Sequence, residues 1–290
     1  MTNTVRYAGQ TIRGPSPALW GDLSKWRTDA DAGRCAFQFD DYLDSPRFAT
    51  NGTTYERGWA CFADDGPTVN QGAEADLSEG ECGTLVLTQD GSTDNDEVWM
   101  QKGNNNGAYM LAMDTTAGEG YKFAFEARFK TSTVVDDVQS LFLGIMNPGG
   151  AAADTKVDDT GVMQDADWIG FNTVHVNSGT AGTNALLTFS YKATGQTVQN
   201  LITDLQTLVA DTWYKVGFIY DPSAIAAKRI KVFVAGAEKT TYVTSTLVQT
   251  ATFPEDVEMC PIIGTKLGAA TAGTLSVDWL AFGQYFDQAG

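Results

Sequence analysis

The chain has 290 residues, of which 43 % are hydrophobic, with 15 phenylalanines and 30 glycines; that is enough apolar mass for a full core and too much for a disordered chain. Nineteen basic residues against 36 acidic ones leave a net charge of −17, which argues against nucleic-acid phosphates and anionic lipid as partners. No run approaches the ~18 apolar residues of a membrane span, and the opening MTNTVRYAGQTIRG lacks the charged-then-apolar pattern of a secretion signal, so a soluble product made in a cytoplasm is expected.

Residues 1–34 hold two prolines and scattered apolar groups without a period of 2 or 3.6, and read as an extended N-terminal arm with a single helical turn at residues 22–27. Leu19, Trp20 and Trp26 are its large apolar side chains. The texture changes at RCAFQFDDYLD (34–44), where Phe37 and Phe39 alternate with polar neighbours, and residues 45–83 then read as loop-rich and acidic. Strands are expected at 84–88, 96–101 and 109–113.

GYKFAFEARFKT (120–131) carries the cleanest alternation. Tyr121, Phe123, Phe125, Ala127 and Phe129 point to a core, while Lys122, Ala124, Glu126, Arg128 and Lys130 point to solvent. Further strands are expected at 140–145, 167–176 and 186–192, with 198–210 either a short helix or a strand. TWYKVGFIYDPSAIAAKRIKVFVAG (212–236) reads as a hairpin broken at Asp221-Pro222, followed by strands at 242–248, 258–263 and 273–286. So many strands with so little helix predict an all-β, two-sheet antiparallel β-sandwich spanning residues 35–290, behind the arm of residues 1–34.

Four stretches carry a resemblance: FQFDDYLD, FEARFK (125–130), ADTWYKVGFIYD with RIKVFVAG, and GTLSVDWLAFGQ. In order and spacing they resemble the opening, core, paired and closing strands of the concanavalin A-like lectin/glucanase jelly roll, over about residues 35–286. The motifs are structural, so they specify the fold better than the function. In the form seen in bacteriophage structural proteins, this resemblance implies a non-enzymatic virion protein, a capsid decoration or cement protein on the capsid surface. Its partner would be a major capsid protein, and the chain is expected to be a homo-oligomer. The alternative is a carbohydrate-binding module of a fibre or tail, and a glycoside hydrolase or polysaccharide lyase comes third.

The residues themselves offer little chemistry. Glucanases of this fold place carboxylates as Glu-x-Asp-x-Glu on one strand face, and no such triplet occurs. Asp94 and Asp96 are two apart, but the next position in phase is Val98, Glu97 points the other way, and Glu126 stands alone. His175, the sole histidine, lacks the lyase neighbours and reads as structural. The acidic pairs 40–41, 64–65, 136–137 and 158–159, with Asp165 and Asp167, lack EF-hand spacing and read as solvated loop acids. Cys35, Cys61, Cys82 and Cys260 form no Cys-x-x-Cys pair and read as free thiols. No catalytic residue, metal or cofactor is therefore expected. Trp59 and Trp99 are the candidates for stacking a sugar, whereas Trp168, Trp213 and Trp279 belong to core patterns. Leu19, Trp20 and Trp26 sit in a segment too irregular to bury them alone, and are the candidates for partner contact.

Overall fold

The computed structural model describes residues 14–20, 35–40, 42, 51–56, 58–63, 68–71, 83–89, 91, 94–103, 121–152, 155–158, 160–174, 186–255 and 257–285. Its strands are β1 (Cys35–Asp40), β2 (Asn51–Glu56), β3 (Trp59–Ala63), β4 (Thr68–Gln71), β5 (Leu85–Gln89), β6 (Glu97–Lys102), β7 (Phe123–Thr131) and β8 (Gln139–Met146). There follow β9 (Trp168–Asn172), β10 (Leu186–Lys192), β11 (Gln199–Thr207), β12 (Tyr214–Tyr220), β13 (Ile230–Val234), β14 (Ala237–Val243), β15 (Cys260–Leu267) and β16 (Gly273–Tyr285). Two four-residue helical turns accompany them, α1 (Pro17–Trp20) and α2 (Ser245–Val248).

The strands form two antiparallel sheets. The first runs β14-β13-β12-β7-β16-β5-β4, with β1 also paired to β16; the second runs β11-β10-β9-β8-β15-β6-β3-β2. β16 is long enough to pair with β7 on one side and with β5 and then β1 on the other. Its register slips between Val277 and Trp279, so Leu275 and Val277 and then Leu280 and Phe282 all reach the core.

Period-2 patterning explains what lies between the sheets. Phe123, Phe125, Ala127 and Phe129 of β7, Val216, Phe218 and Tyr220 of β12, and Ile230, Val232 and Val234 of β13 meet Leu141, Leu143 and Ile145 of β8 and Phe171 and Phe189 of β9 and β10. Phe218 is the hub, with rings of Phe123, Phe125, Phe171 and Phe189 centred 5.4–6.0 Å away. One end of the core is polar: Thr131 donates to Gln139, whose amide donates to Thr265.

The alternating hairpin 212–236 forms β12 and β13, turned by Asp221, whose carboxylate accepts from the amide and hydroxyl of Ser223. The sandwich agrees with the fold expected from sequence, and residues 198–210 resolve as strand β11. Three expectations are corrected. The loop-rich stretch 45–83 contains β2, β3 and β4, and β3 (WACFA) escapes a period-2 search because both of its faces carry apolar residues. The expected strand at 242–248 ends at Val243, where Thr244 caps α2 through Leu247 N–H. The face of β7 expected in solvent is covered: Ala124, Glu126 and Arg128 are all buried. The span 109–113 and the turn at 22–27 lie outside the described residues.

Glycines on the outer side of the second sheet let aromatic rings lie against it. A Cβ at Gly264 would stand 2.2 Å from Trp99 Cε3 and 2.4 Å from the Val98 carbonyl. Gly264→Ala should therefore lower stability by about 1–3 kcal/mol through overpacking. Urea titration checks this; an unchanged midpoint would show that Trp99 can move aside.

Candidate functional site

The outer face of the first sheet carries the most specific arrangement in the molecule. Glu126 leaves β7 between Ala124 and Arg128, and its carboxylate is covered by the N-terminal segment. Ser16 N–H donates to Glu126 Oε2 at 2.9 Å, Trp20 Nε1–H donates to the same oxygen at 2.7 Å, and the Ser16 hydroxyl donates to Oε1. Proline at the first position of α1 suits a helix start, and the Ser16 carbonyl accepts from Leu19 and Trp20 N–H to close the turn. Lys215 of β12 donates to the Gly14 carbonyl at 2.9 Å. Gly217, mid-strand on β12, supplies the notch: a Cβ there would stand 2.6 Å from Leu19 Cδ1.

Leu19 and Trp20 join Ala124, Ile219, Phe233, Trp279 and Ala281 in one apolar cluster, and Trp20 meets Phe37 edge-on at 5.3 Å. This corrects the expectation for two of the three arm residues. Leu19 and Trp20, each 3 % exposed, dock on their own sandwich rather than standing free for a partner. The physical reason is a matched carboxylate, lysine and glycine notch that lie more than 100 positions away in sequence. Trp26 lies outside the described residues.

Burial pushes the Glu126 carboxyl above its usual range, against the opposing pull of the Ser16 and Trp20 hydrogen bonds and the Lys215 charge. The protonated acid also fits, because the Ser16 hydroxyl can turn to accept from Oε1–H while Oε2 keeps both N–H donors.

The outer face of the second sheet is likewise covered, by residues 147–167. Gln101 of β6 accepts the amides of Gly149 and Ala151, and Asn147 N–H bonds the Asp167 carbonyl. Ala151, Met163 and Ala166 then seal Trp99, Phe142, Met146, Trp168, Cys260 and Ile262. Beside this apolar patch lies a lysine pair. Lys156 is wholly buried and donates to the carbonyls of Gly161 and Thr173 at 2.7 and 2.8 Å. Lys266 reaches Asp158 at 2.6 Å, Glu97 at 3.4 Å and the Lys156 carbonyl at 3.0 Å. Burial, and then the Lys266 charge, lower the Lys156 pKa to about 7. Two carbonyls match the two N–H bonds of a neutral amine, so the site suits the deprotonated lysine.

Neither tryptophan proposed for sugar stacking offers a ring to solvent. Trp99 is sealed under residues 147–167. Trp59 faces the core, donates to Asp40 at 2.6 Å and lies beneath Lys102, 5.1 Å from its ring centre. Both are corrected for the same reason: their strands are covered on both sides, which loop-adjacent sequence does not reveal. Trp168 is core, as expected, and Trp279 belongs to the arm-docking cluster. Trp213 is half-buried between Arg128 and Lys130, at 4.5 and 4.8 Å.

Several of the described acids are engaged. Asp165 and Asp167 hold the turn at Thr194 and Gly195, Asp165 also pairs with Lys192, and Arg128 pairs with Asp278. Val98 enters the core while Glu97 faces Lys266, as their phase requires. Among the described residues, no group of three or more His, Cys, Asp and Glu side chains is placed to hold a metal ion. Cys61 and Cys260 are free buried thiols raised by desolvation, Cys61 to about 12. His175, Cys82 and the loop acids at 41, 64, 65 and 159 lie outside the described residues.

No family model and no curated protein matches the sequence. Solved structures do match the fold. A protein of unknown function from Shewanella oneidensis MR-1 superposes with a TM-score of 0.54 at 17 % identity, covering 94 % of this chain and 95 % of that one. An endo-β-1,4-glucuronan lyase from the fungus Trichoderma reesei gives 0.50 at 14 % identity, over 85 % of this chain and 94 % of its own. Basic winged bean lectin, solved with Tn-antigen, gives 0.50 at 12 % identity, over 86 % and 98 %. The fold is thus a two-sheet antiparallel β-sandwich of the jelly-roll kind, similar to that of these lectin and lyase structures.

Two substitutions test the covers. Glu126→Gln keeps an acceptor for the two N–H donors and a donor for Ser16, whereas Glu126→Ala removes all three bonds and should cost about 1–3 kcal/mol. Because the folded pKa of Glu126 is raised, the native state holds the proton above the unfolded value of about 4.3. Its contribution is greatest below that value and declines as pH climbs through the folded pKa. Melting curves should therefore show wild type losing ground to Glu126→Gln as pH rises from about 4; a pH-independent difference would contradict the assignment.

For Lys156 the folded pKa is lowered, so between about 7 and its ordinary 10.5 the unfolded chain binds the extra proton. Wild type should gain stability relative to Lys156→Met as pH rises across that window. A flat difference in denaturation midpoints would show that Lys156 stays charged.

Proposed function

We propose that the protein is a non-enzymatic structural component of a virus particle, a decoration protein on the outer surface of a phage capsid, with the major capsid protein as partner. The observation that carries this reading is the use of both outer sheet faces. Each is filled by the chain's own segment, the arm on Glu126 and residues 147–167 on Trp99 and Phe142, so side chains that could line a cleft serve as packing. A net charge of −17 suits a solvent-facing coat present in many copies. Two strand glutamates lie on different sheets with partners of their own: Glu97 faces Lys266, and Glu126 binds the arm.

Sugar recognition by loops is the second reading, favoured by the likeness to a lectin solved with Tn-antigen. It would use neither Trp59 nor Trp99, which are enclosed.

Co-sedimentation with undecorated phage capsids tests the first reading. Saturable binding is expected, together with no product from a broad polysaccharide panel and no ligand on a glycan array. Absence of capsid binding with a millimolar or tighter sugar ligand would put the second reading in its place, and new unsaturated-product absorbance would make the protein a lyase.

A further inference from the structure

The contact between residues 14–20 and the first sheet is built like that between a peptide and its receptor. No strand pairing joins the two, since α1 is a helical turn and no ladder includes it. Recognition is by side chain and by a few directed bonds. Leu19 enters the notch left by Gly217, Trp20 spans from Phe37 to Glu126, Ser16 caps the carboxylate, and Lys215 takes the Gly14 carbonyl. Each element reads one feature of the sequence GPSPALW.

When this segment leaves, the face it vacates holds Ile219, Phe233 and Trp279 around a carboxylate. Such an apolar patch with a central acceptor favours rebinding of the same peptide, whichever chain supplies it. Residues 21–34 join the segment to β1. At ~3.3–3.6 Å per residue those 14 positions reach at most about 50 Å, against about 30 Å across seven strands spaced ~4.8 Å apart. The tether is therefore long enough to carry the segment beyond the edge of its own sheet.

We propose that the outer face of the first sheet is a binding site for the GPSPALW segment and that a second copy of the chain supplies this segment in trans. Arm exchange links copies through contacts already present within one chain, so dimerisation needs no new interface. Local crowding, as on any surface bearing many copies, shifts the balance from the intramolecular to the intermolecular form by effective concentration. The proposal concerns copy-to-copy contact and stands whether or not the protein binds capsids.

Two full-length variants separate arm from groove. Leu19→Ala with Trp20→Ala spoils the arm and leaves the groove; Glu126→Leu spoils the groove and leaves the arm. A fluorescent peptide of residues 12–22 should bind the arm-spoiled protein, and at least about thirtyfold more weakly after Trp20→Ala in the peptide. Mixing the two variants should produce a 1:1 heterodimer by analytical ultracentrifugation that neither variant forms alone as a homodimer by the same contact. Should the arm-spoiled variant lose its cooperative melt, wild type at high concentration replaces it, and the unlabelled peptide should dissociate the dimers. Binding of the peptide together with a heterodimer, or peptide-sensitive wild-type dimers, supports exchange. A peptide that fails to bind, or one that binds while every mixture and concentration stays monomeric, overturns it.

Discussion

A carboxylate withdrawn from water must find donors, and the position of Glu126 at the middle of β7 sets that requirement for the whole first sheet. β7 lies between β12 and β16, with its phenylalanines facing the core and Glu126 facing out. Once Glu126 is covered, three donors have to come from whatever covers it, and Ser16 and Trp20 provide them. The remaining features follow sterically. Gly217 has no side chain because Leu19 occupies its space, and Lys215 is tolerated in a buried position because it lies near Glu126 and bonds the arm's backbone.

The second sheet solves the same problem in another way. Its outer face carries a broad apolar patch, and the covering segment is an insertion between β8 and β9 rather than a terminal arm. Lys156 is anchored there by two carbonyls and an isolated bridge to Met163, while Lys266 draws in Glu97 and Asp158. A buried ion pair such as Lys266–Glu97 is a weak contributor to net stability but strict about geometry, which fixes one placement of the cover. What distinguishes the two faces is that one cover precedes β1 in sequence and the other lies between β8 and β9.

Much of the sandwich was legible because β7, β12 and β13 alternate cleanly in sequence. β3 was less so: WACFA carries apolar residues on both faces, and such a strand loses the contrast on which periodicity depends. The arm's docking was invisible for a different reason. Ser16 and Glu126 are 110 positions apart, and no local pattern reports such a pairing. Two marks did point to it: a lone glutamate between Ala124 and Arg128 on a strand, and a glycine inside YKVGFIY, where a strand weakens itself only to admit a close neighbour. Trp59 and Trp99 misled because a tryptophan beside a loop looks available, whereas burial is decided by what crosses above it. Trp20 misled in the opposite sense, since an irregular segment gave no hint of a receptor within the same chain.

Amide and indole hydrogen exchange followed by NMR tests the central claim, that Glu126 holds the arm against the sheet. The Ser16 amide and the Trp20 indole N–H should exchange far more slowly than in an unfolded chain. In Glu126→Ala both should lose that protection while the amides of β7 and β12 keep theirs. Exchange of the Ser16 amide at the unfolded rate in wild type, or protection undiminished by Glu126→Ala, would contradict the account.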